Sequence, residues 1–256
     1  MDHALDRPAA VPTPEVRRVE TSQPIQWLRR GYADLVRSGW PSLTYGAAIA
    51  LFGVILLALT WRANYLVPAA LGGFLLVAPF AAIGLYALSA QLETQPRVDA
   101  AKALFAWRSN TGSIALFGLM LALSLILWER MAAIIFALYF IGAGPDLSSV
   151  VEGVLFAGDH LPLLVVFFGV GGLFAAMVFT LSVVSAPLLL DKPVDAITAA
   201  ITSMRCCLAN PGAMLLWALL IAGLTLIGFA TAMLGLVVIF PWLAHASWHA
   251  YRDLVA

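Results

Sequence analysis

Long apolar runs recur along this chain, and they constrain its fold more than any other feature. Each is about 20 residues long, which lets a helix cross a hydrocarbon core of ~30 Å at 1.5 Å per residue. Backbone groups in lipid must be satisfied within the segment, and the sequence lacks the alternating pattern of a lipid-facing barrel. We therefore expect an all-α transmembrane helical bundle of about six spans.

The composition supports a membrane protein and argues against other classes. Hydrophobic residues make up 62% of the 256 residues and charged residues only 11%, whereas soluble domains are charged at about a quarter of positions. The formal net charge is zero, so no basic surface indicates nucleic-acid binding. The two cysteines, Cys206 and Cys207, lack the CxxC spacing of a redox or zinc motif.

The chain divides into a short tail and one membrane-embedded domain. Residues 1–24 contain four prolines and mixed charges, which is typical of a flexible segment. Residues 25–256 form the predicted helical domain. Its predicted spans are approximately 42–61, 66–91, 114–141, 161–190, 213–229 and 231–247.

An amphipathic stretch, 25–37, precedes the first predicted span. Its predicted apolar face consists of Ile25, Leu28, Tyr32 and Leu35. Arginines at such a position suit anionic headgroups, so we predict membrane-surface contacts for Arg29, Arg30 and Arg37. The alternative is a solvated helix packed against other connections.

A second amphipathic stretch, 193–208, gives the two halves of the chain a similar order. Its large apolar side chains share one face: Val194, Ile197, Ile201, Met204 and Leu208. Each half reads span, proline, amphipathic helix, Asn-x-Gly and span, with Asn110 and Asn210 in corresponding places. Two interpretations stay open: a parallel internal repeat, as in some transporters, and the general pattern of membrane proteins with amphipathic connections.

The distribution of basic residues predicts the orientation. Positive charge in short connections faces the cytoplasm. With both termini inside, all 14 Lys and Arg residues except Arg62 and Arg130 fall on the inner side. We therefore predict cytoplasmic N- and C-termini.

One predicted span carries adjacent ionisable side chains. Trp128, Glu129 and Arg130 are consecutive within the run 114–141. Glu129 would lie ~22 Å along the axis from the start of this span, so we expect a bend near it. A charge in the bilayer costs ~2.5–3.5 kcal/mol on insertion scales and often marks function. The three residues are therefore candidates for contact with a substrate, proton, lipid headgroup or partner; the alternative is an interfacial anchor.

A histidine pair stands at the end of the last predicted span. His245 and His249 are four residues apart and share one helix face, a spacing that metal or haem ligands use. The alternative is a polar belt at the membrane interface beside Trp242 and Trp248. The sequence has no nucleophile motif and no phosphate loop, so we expect neither a cofactor nor catalysis.

Three segments carry a family resemblance that covers about 25–256. They are WLRRGYADL at 27–35 with SLTYG at 42–46, WER at 128–130, and HASWHAYRDL at 245–254. In these segments the chain resembles the DUF2189 family of predicted bacterial integral membrane proteins. The resemblance implies a multi-pass protein of the bacterial inner membrane, and it implies no mechanism.

Three functions follow as hypotheses. The first is a non-catalytic scaffold, assembly factor or accessory subunit of a membrane complex, whose partners are the lipid bilayer and other membrane proteins or a second copy. The second is a transporter or permease for a small solute or lipid that uses Glu129 and Arg130. The third is a haem- or metal-binding respiratory subunit that uses His245 and His249.

Overall fold

The computed structural model describes residues 14–60, 82–139 and 161–256. These residues form helices and no strand, apart from one isolated antiparallel bridge between Val16 and Val255. The predicted all-α fold is therefore confirmed. The connection 142–160, which is predicted to be outside the cell membrane, and most of the predicted span 66–91 lie outside the described residues.

The helices follow one another with short connections. In chain order they are α1 (Gln23–Ser38), α2 (Trp40–Thr60), α3 (82–94), α4 (Ala100–Leu104), a 3-10 helix (Ala106–Asn110), α5 (Thr111–Tyr139), α6 (Leu161–Ser182), α7 (Ser185–Asp191), α8 (Ala196–Ala209), α9 (Pro211–Ala230) and α10 (Leu236–Leu254).

Three helical stretches among the described residues are long and apolar enough to cross a membrane. They are Ala106–Ile135, Leu161–Asp191 and Pro211–Ala230. The bent pair α1 and α2 makes a fourth if it is counted as one span. The predicted span 231–247 overlaps α10, which is not among these stretches because its second half is polar.

A sharp break at Gly39 separates α1 from α2. Gly39 has φ 62°, a left-handed value that glycine adopts without steric cost. The two helices meet at 104°, so α1 runs across the start of α2. By contrast, α5 continues without interruption through Glu129 and Arg130, so the bend expected there is not a break in the helix.

Helix α10 packs closely against α1 and α2. Two glycines permit this close approach. A Cβ atom on Gly31 would lie 2.5 Å from the backbone nitrogen of Ala246, and one on Gly46 would overlap the carbonyl of Val237. Large side chains then fill the interior, and the largest that are fully buried are Trp27, Trp217, Trp248 and Tyr251.

The amphipathic helix α8 turns small residues toward the protein. In α8 the buried face is Ala196, Ala199, Ala200, Thr202, Ser203 and Cys206. The large apolar side chains predicted to share a face are divided: Ile197 and Leu208 are 61% and 80% exposed and Ile201 is also exposed, whereas Met204 is partly buried and Val194 is buried. The predicted apolar face of α1 is split in the same way, because Leu35 is buried while Ile25 and Tyr32 are exposed.

Candidate functional site

His245 is the centre of a buried polar cluster that joins four helices. The side chain lies on α10 and has no exposed surface. Its Nε2 atom lies 2.8 Å from the Ser42 hydroxyl on α2, and its Nδ1 atom lies 2.7 Å from the Ser89 hydroxyl on α3. Both ring nitrogens are therefore engaged by hydroxyl groups.

Asp34 on α1 supplies the negative charge of this cluster. Its carboxylate accepts hydrogen bonds from the Ser89 hydroxyl at 2.8 Å and from Nε2 of His249 at 2.9 Å. Burial works to raise the pKa of Asp34, but the hydrogen bonds from His249 and Ser89 outweigh it and hold this pKa below its usual value. The side chain is thus a buried carboxylate stabilised by neighbouring donors.

The cluster closes into a ring through two serines. The Ser38 hydroxyl lies 2.5 Å from that of Ser42 and donates to the backbone carbonyl of Asp34 at 2.7 Å. The ring therefore starts and ends at Asp34. We call this group the His245 cluster; its members are Asp34, Ser38, Ser42, Ser89, His245 and His249.

The hydrogen bonds assign the tautomer of His245. A serine hydroxyl has one hydrogen, and Ser89 gives its hydrogen to Asp34. Ser89 must therefore accept from an N–H at Nδ1 of His245. In the neutral ring Nε2 then carries no hydrogen, and the one hydrogen of Ser42 is shared between Nε2 and the Ser38 hydroxyl, because Ser38 donates its own to the Asp34 carbonyl.

A second group of polar contacts surrounds the last turn of α10. Asp253 pairs with Arg30 and accepts from the indole of Trp27 at 2.8 Å. Burial works to raise the pKa of Asp253, but the hydrogen bonds from Arg30 and two neutral donors outweigh it and lower that pKa. This contact fixes the end of α10 to α1.

The same turn is also bound to α3 and α7. Arg252 lies 3.2 Å from Glu93 and 3.6 Å from Asp191. Glu93 accepts from the indole of Trp248 at 2.9 Å, and Asp191 accepts from the hydroxyl of Tyr251 at 2.5 Å. One helical turn thus connects elements that are distant in sequence.

Two of the three arginines predicted at the membrane surface make contacts within the protein. Arg30 pairs with Asp253. Arg37 donates to the carbonyl of Leu92 at 3.2 Å and lies 3.9 Å from Asp34. Arg29 is exposed, and the described residues give it no ion pair. Surface contact by Arg29, Arg30 and Arg37 stays a prediction.

The structure places Trp128 against α6 and away from the His245 cluster. Its indole packs on Phe167 and Phe174 with ring centroids 5.4 and 5.9 Å apart. Glu129 is partly buried and Arg130 is exposed, and the ion pairs between described residues include neither. Both interpretations of this triplet stay open.

A cavity of about 220 Å³ lies between α5 and α6. Its lining consists of Phe117, Met120, Leu121, Leu123, Ser124, Val178 and Leu181. The lining is apolar except for Ser124, and neither Glu129 nor Arg130 belongs to it.

The arrangement of the described residues does not favour metal binding. These residues contain no group of three or more His, Cys, Asp and Glu side chains that could hold an ion. Ligation by His245 would break its contact with Ser42 or Ser89. Metal or haem binding by His245 and His249 stays an untested prediction.

The adjacent cysteines are poor nucleophiles at neutral pH. Burial raises the pKa of the Cys206 thiol to about 12 and that of Cys207 to about 11. The thiolate is the reactive form of cysteine, so both side chains act as small packing residues in α8.

Sequence reasoning missed Asp34 and Ser89 as partners of the histidines. A usable signal was present, because polar residues recur every four positions in three series, a spacing that places residues of one helix on one face; the first series crosses the Gly39 break from α1 into α2. These series are Asp34, Ser38 and Ser42; Ser89 and Glu93; and His245, His249 and Asp253.

Comparison with known families supports the membrane assignment. Residues 66–191 match the family described as Predicted integral membrane protein (DUF2189), which confirms the resemblance noted in the sequence. Together with its long apolar helices, this match identifies an integral membrane protein. The matched range includes Ser89 and Trp128, whereas Asp34 and His245 lie outside it. No curated protein and no solved structure matches the chain.

Proposed function

We propose that this protein acts by association rather than catalysis, as a scaffold, assembly factor or accessory subunit of a membrane complex. We place it in the bacterial inner membrane with both termini in the cytoplasm. The His245 cluster is the observation that carries the proposal. Its ionisable groups are hydrogen-bonded within the cluster and hold helices in place.

Burial of ionisable groups is costly unless each is paired. In the cluster, Asp34 receives two hydrogen bonds and His245 makes one at each nitrogen. Ser42 and Ser89, the hydroxyls nearest the imidazole, are fully buried. Such an arrangement fixes the relative positions of α1, α3 and α10, as a rigid docking platform requires.

A small-residue surface on α6 supports association within the membrane. Gly169, Gly172 and Ala176 are exposed and lie three or four residues apart. A Cβ atom on either glycine would meet no heavy atom of the described chain within 4 Å. Small residues at this spacing let a neighbouring helix approach closely in lipid.

Purification of the full-length protein in mild detergent tests the proposal. We expect a membrane protein or a second copy to co-purify at fixed stoichiometry. Gly172→Leu should reduce its retention by roughly tenfold, because a large side chain keeps the two helices apart.

Gly223→Leu is the matched control, since Gly223 on α9 is also exposed and open. It should leave retention unchanged. A wild-type protein that is consistently a lone monomer, or equal losses in the two variants, would contradict the proposal.

Transport is the second candidate function, and the continuity of α5 favours it. Glu129 and Arg130 lie inside one uninterrupted apolar helix. A charged side chain within the bilayer is energetically costly and usually marks a functional site. Glu129→Gln should then abolish accumulation of a solute or lipid in vesicles, while Trp128→Phe should not. Equal effects of the two variants would indicate a structural role.

A further inference from the structure

A short basic and aromatic segment before α5 exposes large apolar side chains. It runs from 102 to 108 and includes the end of α4 and the start of the 3-10 helix. Leu104, Phe105 and Trp107 are 57%, 49% and 42% exposed. Aromatic and aliphatic surface of this size is unfavourable in water, so another phase or molecule should cover it.

The segment is held rigidly at both ends. On one side, Gln91 bonds the backbone of Asp99, accepting from its nitrogen at 2.6 Å and donating to its carbonyl at 3.3 Å. On the other side, the Asn110 amide donates to the carbonyls of Leu189 and Val194 at 3.2 and 2.9 Å. Ala103 anchors the middle and is fully buried. The exposed rings are therefore presented by a fixed backbone.

Arg108 is oriented by the rings beside it. Its guanidinium lies over Phe105, 4.6 Å from the ring centroid, and 5.5 Å from that of Trp107. The planar guanidinium carries five N–H donors and can bind a phosphate in bidentate geometry. The described residues give Arg108 no ion pair that would occupy these donors.

The place of the segment in the fold indicates what covers it. It leads directly into the membrane-crossing stretch Ala106–Ile135, so Trp107 and Arg108 lie at the first turn of a span. Tryptophan and arginine are typical of this boundary between hydrocarbon and water. Between 97 and 110 the chain carries Arg97, Lys102 and Arg108 against Asp99 alone, so the local charge favours an anionic surface.

We propose that residues 102–108 form a binding site for the headgroup of an anionic phospholipid. The Arg108 guanidinium binds the phosphodiester, Lys102 adds a second positive charge, and Phe105 and Trp107 insert among the upper acyl carbons. The site is independent of the His245 cluster and of any protein partner.

Local tryptophan quenching in the reconstituted full-length protein tests the site. The difference in fluorescence between wild type and Trp107→Phe isolates the signal of Trp107. We expect lipids brominated near the headgroup to quench this signal, with brominated phosphatidylglycerol favoured over brominated phosphatidylcholine by roughly fivefold, the size expected for one basic side chain at an anionic surface.

Arg108→Gln, combined with the same pair of Trp107 backgrounds, should reduce the preference by roughly fivefold, because the net negative charge of phosphatidylglycerol loses one basic partner and zwitterionic phosphatidylcholine has no net charge to attract it. Arg29→Gln removes the same charge at another exposed position and should leave the preference of Trp107 unchanged. Millimolar inorganic phosphate should also leave it unchanged.

Three results would overturn the proposal. Absence of quenching by either lipid would place Trp107 outside the bilayer boundary. Equal losses with Arg108→Gln and Arg29→Gln would indicate general surface charge. Relief of quenching by inorganic phosphate would indicate a soluble phosphate ligand.

Discussion

At the residue scale, a neutral imidazole between two hydroxyls makes the His245 cluster sensitive to single changes. Each hydrogen bond in the ring leaves a buried polar atom unpaired when one partner is removed. The cost of such an unpaired group is larger than the net gain from an average hydrogen bond. Substitutions within the cluster should therefore lower the free energy of unfolding by more than the small change in side-chain volume suggests.

Ser42→Ala should lower the free energy of unfolding by about 1–3 kcal/mol, because Nε2 of His245 loses its hydroxyl partner. Thr44→Ala, two residues away at an exposed position, should change it by less than about 0.5 kcal/mol. Denaturant titration of the detergent-solubilised protein measures both values. Equal losses of unfolding free energy in the two variants would show that the buried contact stabilises the fold no more than the exposed side chain does.

The carboxylate of Asp34 predicts a dependence of stability on acid pH. Its pKa is lowered in the folded state, so it stabilises the fold fully above the ordinary carboxyl pKa of 3.8. This stabilisation is lost as the pH falls through the folded-state pKa, because the proton then binds both states.

The gap in unfolding free energy between wild type and Asp34→Asn should therefore be largest near neutral pH and narrow below about pH 4. Unfolding curves recorded across this range test it. Glu20→Gln makes the same change of charge at an exposed residue and should show a constant gap. A gap for Asp34→Asn that stays constant in acid would contradict the role of its charge.

At the scale of helices, α10 brings the polar groups together, and its packing depends on the absence of a side chain at Gly31. An added Cβ would lie 2.5 Å from the backbone of Ala246. Backbone atoms cannot move as a flexible side chain does, so α1 and α10 would have to separate.

Gly31→Ala should thus reduce the unfolding free energy by about 1–3 kcal/mol, the usual cost of overpacking. Gly112→Ala makes the same change in the first turn of α5, where a Cβ meets no described atom within 4 Å. It should be neutral or raise stability by up to about 1 kcal/mol, because alanine favours the helix. Thermal unfolding distinguishes the two, and a neutral Gly31→Ala would mean that the helices are not in close contact.

The helices themselves could be predicted from the sequence, but their orientation could not. Long apolar runs are local signals, and the described residues within the predicted spans are mostly helical. The direction of α8 depends on its surroundings. In soluble proteins large apolar side chains face the core, and this rule predicts that Ile197 and Leu208 point inward. A helix beside lipid instead buries its small residues against protein and leaves large ones outside.

The His245 cluster was harder to predict for a related reason. The histidines were visible as a pair on one face, but their partners come from α1, α2 and α3, as much as 215 residues away. Periodicity defines a face and not the helix that covers it. The four-residue series through Asp34 and Ser89 indicate faces that could meet, and only the tertiary contacts join them.

At the scale of the whole molecule, the two ends of the described chain are adjacent. The nitrogen of Arg17 donates to the carbonyl of Leu254, and the nitrogen of Ala256 donates to that of Glu15, each at 2.9 Å. Segments joined in this way lie on the same side of any membrane. We therefore predict an even number of spans between them, as in the six expected from the sequence.

Thiol labelling of intact cells tests which side this is. In a variant that lacks Cys206 and Cys207, the substitution Arg18→Cys should introduce a thiol that reacts with an impermeant reagent only after the membrane is permeabilised. The reason is that basic segments stay in the cytoplasm. A cysteine at Asp146, in the predicted outer connection, should react in intact cells. The reverse pattern would invert the proposed orientation.

The dependence of α1 on α10 also sets the order of biogenesis. While the ribosome is still extending the chain, Trp27 and Asp34 have already emerged, but their partners on α10, the Asp253 carboxylate and the His249 imidazole, do not yet exist. The N-terminal helix must wait, incompletely assembled, until the last described helix is released. In a prematurely terminated product, Trp27 would lack its hydrogen-bond acceptor and Asp34 would lack its donor from α10. Quality-control proteases could distinguish such a product from the finished molecule.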